Sequence, residues 1–159
     1  MTMEQELGSI MSHIYRNFPG CEQVYQIDIP AGFQVPSLYF PPPIITSQRF
    51  TSHSYQKGFQ WFVKLFHKDQ EQAFQAAEAV ADSIRRNRNC IPLLNADGSA
   101  TGRLKFIEAV NVRLIARADD HTHTAQITIE WSSRYNFDLP SYEKMAKIFY
   151  QMNDSPLSN

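Results

Sequence analysis

His121 and His123 flank Thr122 beside Asp119 and Asp120, the densest run of metal-binding side chain types in the sequence. Imidazoles and carboxylates this close can hold a transition metal. Alternation on a strand tip brings such residues to one side without any metal, and tips are polar because they are solvated. The solvated tip is the reading adopted, with no metal site expected. Cys21 and Cys90 could include a nucleophile, which needs a base and an orienting partner. Neither sits in a recognisable local signature. Free thiols are expected, although a disulfide between them stays open. Gly98-x-x-x-Gly102 precedes a strand rather than a helix, so it reads as a flexible loop and not a phosphate cradle. Glu108 interrupts an apolar alternation. It is either a perturbed carboxylate or a residue at a bulge, a sheet end or a subunit contact. One carboxylate makes no acid/base pair. Arg85, Arg86 and Arg88 lack the interleaved aromatics that single-strand binding favours, and read as a solvated or ion-paired helix end. No catalytic residue and no cofactor site is expected.

The elements that would position these residues belong to a chain of 159 residues, the size of one domain able to bury a core. Hydrophobic residues make up 43%, which argues against disorder. Fifteen Lys and Arg balance sixteen Asp and Glu, so no global charge draws the chain to nucleic acid or anionic lipid. Glu4 and Glu6 lie where a signal peptide would be apolar, and no run approaches the ~20 apolar residues of a spanning helix. Neither sequence-specific nucleic acid nor a membrane is an expected partner, and the cytoplasm of the producing cell is the expected compartment.

Apolar residues at 7, 10, 11, 14, 15 and 18 predict a helix over 2–17, ended by Pro19-Gly20. Short strands are expected over 24–29 and 35–40, the latter at a sheet edge because of Pro36. Pro41-Pro42-Pro43 reads as a stiff connector. Strands over 44–53 and 57–67 form a hairpin, with Phe59, Trp61, Val63 and Leu65 on one face. A second helix runs over 69–87, with Asp69 and Gln72 as a capping box. Its face of Ala73, Phe74, Ala76, Ala77, Val80, Ala81 and Ile84 suits close packing on a sheet.

A short strand over 90–94 and a polar loop over 95–102 lead to two long strands, 104–116 and 123–135. In the first, Leu104, Phe106, Val110, Val112, Leu114 and Ala116 are expected to share one face. Thirteen residues span about 43 Å at ~3.3 Å each. A domain of this length is about 40 Å across. The hairpin therefore crosses the whole body, projects beyond it, or is bent by a bulge. A final amphipathic helix is expected over 141–152, and a fraying end after it. The fold class expected is α+β: a mostly antiparallel sheet with long hairpins, packed by an N-terminal and a central helix. One domain is expected over 1–137, with a C-terminal helix and tail over 138–159.

This order of elements resembles the tail terminator, or tail-completion, proteins of long-tailed bacteriophages and prophage particles. The residues that carry the likeness are Gln34-Val35-Pro36-Ser37-Leu38-Tyr39-Phe40, the polar strand over 44–53, Phe59-Gln60-Trp61-Phe62-Val63, the helix over 69–86 and the segment over 103–116. It is a likeness of layout and length over residues 3–137, without a diagnostic motif; the triple proline and the C-terminal helix do not map onto it. The resemblance implies a non-enzymatic virion protein, assembled in the bacterial cytoplasm, that caps the tail tube as a ring, commonly a hexamer. Its partners would be its own copies, the tail tube, a sheath where there is one, and neck or connector proteins. Contact residues expected from exposed loops and the C-terminal helix are Asn95, Asp97, Arg103, Arg117, Asp119, Asp120 and Phe149. A head–tail connector or other neck protein is the alternative within the same particles. A small-ligand or enzymatic module is the alternative outside them.

Overall fold

The first apolar stripe folds as α1 (Met3–Asn17), and the computed structural model describes residues 2–115 and 123–138. Thr2 caps α1, its hydroxyl accepting from the Gln5 backbone N–H at 3.2 Å, which satisfies one of the donors a helix start leaves open. Two four-residue strands follow, β1 (Gln23–Gln26) and β2 (Ser37–Phe40), and they pair in parallel. Pro36 lies just before β2, so it costs no ladder bond, and β2 sits between two neighbours rather than at an edge.

β3 (Ile44–Arg49) and β4 (Ser54–His67) form the expected hairpin, with the turn at 50–53 rather than 54–56. β2 pairs with Ser37↔Phe66 to Tyr39↔Lys64, and β3 with Ile44↔Gln60 to Arg49↔Tyr55, on the same side of β4. Pro41-Pro42-Pro43 bridges the two past the middle of β4. A segment without N–H donors suits a stretch that forms no ladder, and the Trp61 indole N–H donates to the Pro41 carbonyl.

α2 (Gln70–Arg86) starts at Asp69, whose carboxylate accepts from the Glu71 N–H at 3.1 Å, one residue nearer than the capping-box spacing implies. Ala73, Ala76, Ala77, Val80, Ala81 and Ile84 are all buried. They lie on Phe59, Trp61, Val63 and Leu65 of β4 and on Ala125, Ile127, Ile129 and Trp131 of β8 (His123–Asn136). β4 and β8 pair over fourteen residues, from Ser54↔Asn136 to His67↔His123. This long ladder joins distant parts of the chain and is the spine of the sheet. The main sheet runs β1-β2-β4-β8-β7, where β7 is Ala109–Ile115, with β3 on the β2 side of β4, and is antiparallel except for β1–β2. With its two helices the molecule is α+β.

The strand expected over 104–116 is two strands. β5 (Cys90–Leu94) pairs with β6 (Ala100–Phe106) in a separate two-stranded sheet, whereas β7 (Ala109–Ile115) pairs with β8. The handover is visible in the backbone: Ile107 N–H donates to Asn89 O at 2.7 Å, and Glu108 N–H donates to Glu130 O at 2.8 Å. Glu108 thus stands where the chain leaves one sheet for the other, and the bent alternative holds for this arm. The expected helix over 141–152 and the connection over 117–122 lie outside the described residues.

Candidate functional site

Splitting the strand turns β6 inside out. Leu104 and Phe106 are 64% and 57% exposed, while Lys105 between them is 7% exposed. The shared face expected for Leu104, Phe106 and Val110 is therefore broken: Val110 is buried and the other two point outward. Lys105 reaches a carboxylate instead. Its Nζ lies 3.3 Å from Glu6 Oε1, donates to Ser132 O at 2.6 Å and bonds Ser133 Oγ. Glu6, fully buried in α1, also accepts from Ser133 Oγ and from the Trp131 indole N–H at 3.3 Å. A buried ion pair survives only with its remaining valences filled, and serine, tryptophan and backbone fill them here. Tyr135 beside this knot has its phenol pushed up to about 12, first by burial and then by the Glu6 charge.

Sequence reasoning missed the pair, though half of it left a signal. Glu6 stands at helical spacing from Met3 and Ile10, on the apolar stripe itself. A carboxylate there needs a buried partner.

The outward face of the β5–β6 hairpin holds Pro92 and Cys90 opposite Leu104 and Phe106. Its inward face holds Ile91 and Leu93, both buried. At its tip Asn95 N–H donates to Ser99 O at 2.8 Å, and Gly98 takes φ 84, which glycine adopts without strain. Asp97 accepts from the Ser99 hydroxyl at 2.6 Å and its N–H at 2.9 Å, bonds that hold its carboxyl below the usual range. Asn95 and Asp97, expected as contact residues, thus use their side chains to close the turn. The third, Arg103, is exposed on β6. Arg117, Asp119, Asp120 and Phe149 lie outside the described residues.

A cavity of about 550 Å³ opens between the start of α1 and this tip, lined by Gln5, Gly8, Ser9, Ser12, Asn95 and Gly98 among others. Gln5 Nε2 donates to Leu94 O at 3.0 Å, and Ser9 Oγ accepts from Leu94 N–H at 2.9 Å, so its polar groups serve to hold the hairpin on α1. A second depression, about 230 Å³, lies over the far face of the sheet, lined by Ile44, Thr46, Gly58, Gln60, Glu108 and Glu130 with parts of Phe59 and Trp131. Glu130 accepts from Gln60 Nε2 at 2.7 Å and Glu108 from Ser132 Oγ.

The remaining candidates are dispersed. His67 and His123 face each other at the end of the β4–β8 ladder, and burial lowers the His67 pKa. Among the described residues no group of three or more His, Cys, Asp or Glu is placed to hold a metal. Cys21 and Cys90 are free thiols. Arg85 binds Glu78 and Asp82 at 3.1 and 3.0 Å, the ion-paired reading of that helix end.

No family model matches the chain. Two proteins of Bacillus subtilis (strain 168) are similar over most of its length. YqbJ is 39% identical over 136 residues, covering 86% of this chain and 88% of YqbJ. The phage-like element PBSX protein XkdJ is 39% identical over 135 residues, covering 85% and 88%. Among solved structures, a chain of the virion of a native gene transfer agent particle aligns with a TM-score of 0.42 and 12% identity, over 82% of this chain and 97% of that one.

Proposed function

The chain belongs to the family of YqbJ and XkdJ, and from that membership we propose that it is a structural protein of a phage or phage-like particle. The observation that carries this is 39% identity over 88% of XkdJ, a protein of the phage-like element PBSX. Geometry supports an assembling role. β3 is exposed at every residue, and among the described residues no strand pairs with its outer edge, which leaves backbone groups there open to another chain. Ile44, Ile45, Leu104 and Phe106 add exposed apolar surface.

Within such a particle the chain caps the tail tube as a ring of its own copies, ends tail polymerisation and presents a surface to the neck. The layout of elements that resembles tail terminators supports this finer reading, and so does the physics of unlike surfaces meeting in a closed ring. Its place is then the virion, at the junction of tail and head, after assembly in the bacterial cytoplasm.

Negative-stain microscopy of particles made without the chain tests the reading. Overlong tails without heads are expected. Tails of ordinary length without heads would assign the chain to the neck, and ordinary particles would reject both roles.

A further inference from the structure

A strand in a sheet ordinarily buries one face in the core. β4 does so: Phe59, Trp61, Val63 and Leu65 lie in one cluster with the apolar residues of α1 and α2. Its neighbour β3 does not, for every residue of β3 is exposed. Directly opposed residues share a face. The pairs Ile45↔Phe59, Ser47↔Lys57 and Arg49↔Tyr55 therefore put Ile45, Ser47 and Arg49 on the core side of the sheet. Ile45 is nevertheless 42% exposed, whereas Phe59 opposite it is buried. The cover that the helices give this side ends before β3.

The uncovered corner continues into the last rows of the β4–β8 ladder. Tyr55 pairs with Tyr135, their rings stack at 5.6 Å, and the Phe137 ring lies 5.3 Å from that of Tyr55. Both tyrosines are partly exposed, and Phe137 is 37% exposed. A depression of about 300 Å³ opens here, lined by Ser47, Gln48, Arg49, Tyr55 and Phe137. The chain brings its own end to this corner: Phe137 N–H donates to His53 O at 2.9 Å, and Asp138 follows it.

Residues 139–159 come next in the sequence, with Tyr142, Met145, Ile148, Phe149 and Met152 at helical spacing behind Pro140 and Ser141. The three peptide steps from Asp138 to Ser141 reach at most about 10 Å. The apolar stripe therefore has to begin close to Phe137. We propose that residues 141–152 form a helix whose stripe seats on this corner of its own chain, over Ile45, Tyr55 and Phe137. The lengths agree. Twelve helical residues extend about 18 Å. The Tyr55 and Ile45 rows are four residues of β4 apart, about 13 Å. So short a tether holds the segment at an effective concentration on the order of mM, which favours its own chain over a neighbour. Seated there, the helix covers the core side of β3. It leaves the outer edge of β3, and Ile44 on the far side, available to another chain. The contact does not depend on where in a particle the chain works.

Thiol labelling of full-length chains tests it. The background is Cys21→Ser with Cys90→Ser, carrying Ile45→Cys as its single thiol, or Ile44→Cys on the far side as the control. Each is made with the native stripe and with Met145→Asp plus Phe149→Asp. Neither aspartate falls within the cluster of buried residues, so folding is retained, and near-ultraviolet circular dichroism checks this. The Ile45→Cys thiol should react with a maleimide at least fivefold faster once the stripe carries the aspartates. The Ile44→Cys thiol should react at an unchanged rate, and protection by the native stripe should persist on dilution. Equal rates at Ile45→Cys with and without the aspartates would show that the stripe does not cover β3. Acceleration at both positions would show a loosened sheet rather than a lifted helix, and protection lost on dilution would assign the cover to a neighbouring copy; each of these results overturns the contact.

Discussion

Lys105 Nζ lies 3.3 Å from the Glu6 carboxylate, with the two side chains 9% and 0% exposed. The pair ties the first helix to a strand far along the chain, and the Ser133 hydroxyl bonds both partners. Truncating one partner of a buried pair strands the other charge, at a cost of about 3–5 kcal/mol, whereas replacing both with apolar residues is often neutral. Glu6→Leu and Lys105→Met should each destabilise by that order, and the two together by much less than their sum. Urea unfolding of the four chains measures the coupling; additive costs would show that the two groups act separately.

Phe106 and Ile107 are adjacent and opposite in burial, the first 57% exposed and the second fully buried. Phe106→Ser and Leu104→Ser should leave stability within about 0.5 kcal/mol, as surface changes do. Ile107→Ala should cost about 2–5 kcal/mol through lost transfer energy and a cavity. Thermal unfolding decides. A large loss from Phe106→Ser would mean that this side chain is covered within its own chain.

Much of the layout was legible because burial and periodicity agree. The alternating Phe59, Trp61, Val63 and Leu65 are buried as their spacing predicts, and so is the α2 face except Phe74, which is 41% exposed because it sits at the margin of the stripe in the first turns of the helix. β6 misled because alternation defines two sets of side chains without saying which faces in. Hydrophobicity favoured Leu104 and Phe106, yet Ile107, which is buried, belongs to the set of Lys105. Long-range pairing was also invisible: nothing local in 123–136 says that β4 lies beside it for fourteen residues. Of the expected contact residues, Asn95 and Asp97 were legible as a turn, and turn chemistry is what they perform.

His13 packs α1 on α2, its Nε2 lying 3.0 Å from Ser83 Oγ. Burial first, then Arg16, lowers its pKa below 6.5, and burial also lowers that of His67. A depressed folded pKa means that the unfolded chain binds the proton more readily. These groups therefore contribute stability that is present above pH 6.5 and lost as pH falls through and below it. Urea midpoints should decline from pH 7.5 to pH 5, and His13→Gln should flatten part of that decline. A variant with an unchanged pH profile would show that His13 does not contribute to it.

The alanines of α2 govern how near the helix lies to the sheet. Ala73, Ala77 and Ala81 are fully buried, and they share the core with large side chains of β4 and β8, Val63, Leu65, Ile127 and Ile129 among them. Three added carbons at fully buried Ala77 must be taken up by the packed core, so the helix lifts or neighbours leave their rotamers, at about 1–3 kcal/mol. Ala77→Leu should lower the urea midpoint accordingly, while Ala77→Gly should destabilise by about 1 kcal/mol through helix propensity. Loss in both directions marks a site sized for a methyl group. A stabilising Ala77→Leu would instead reveal unfilled space between α2 and the β4–β8 ladder.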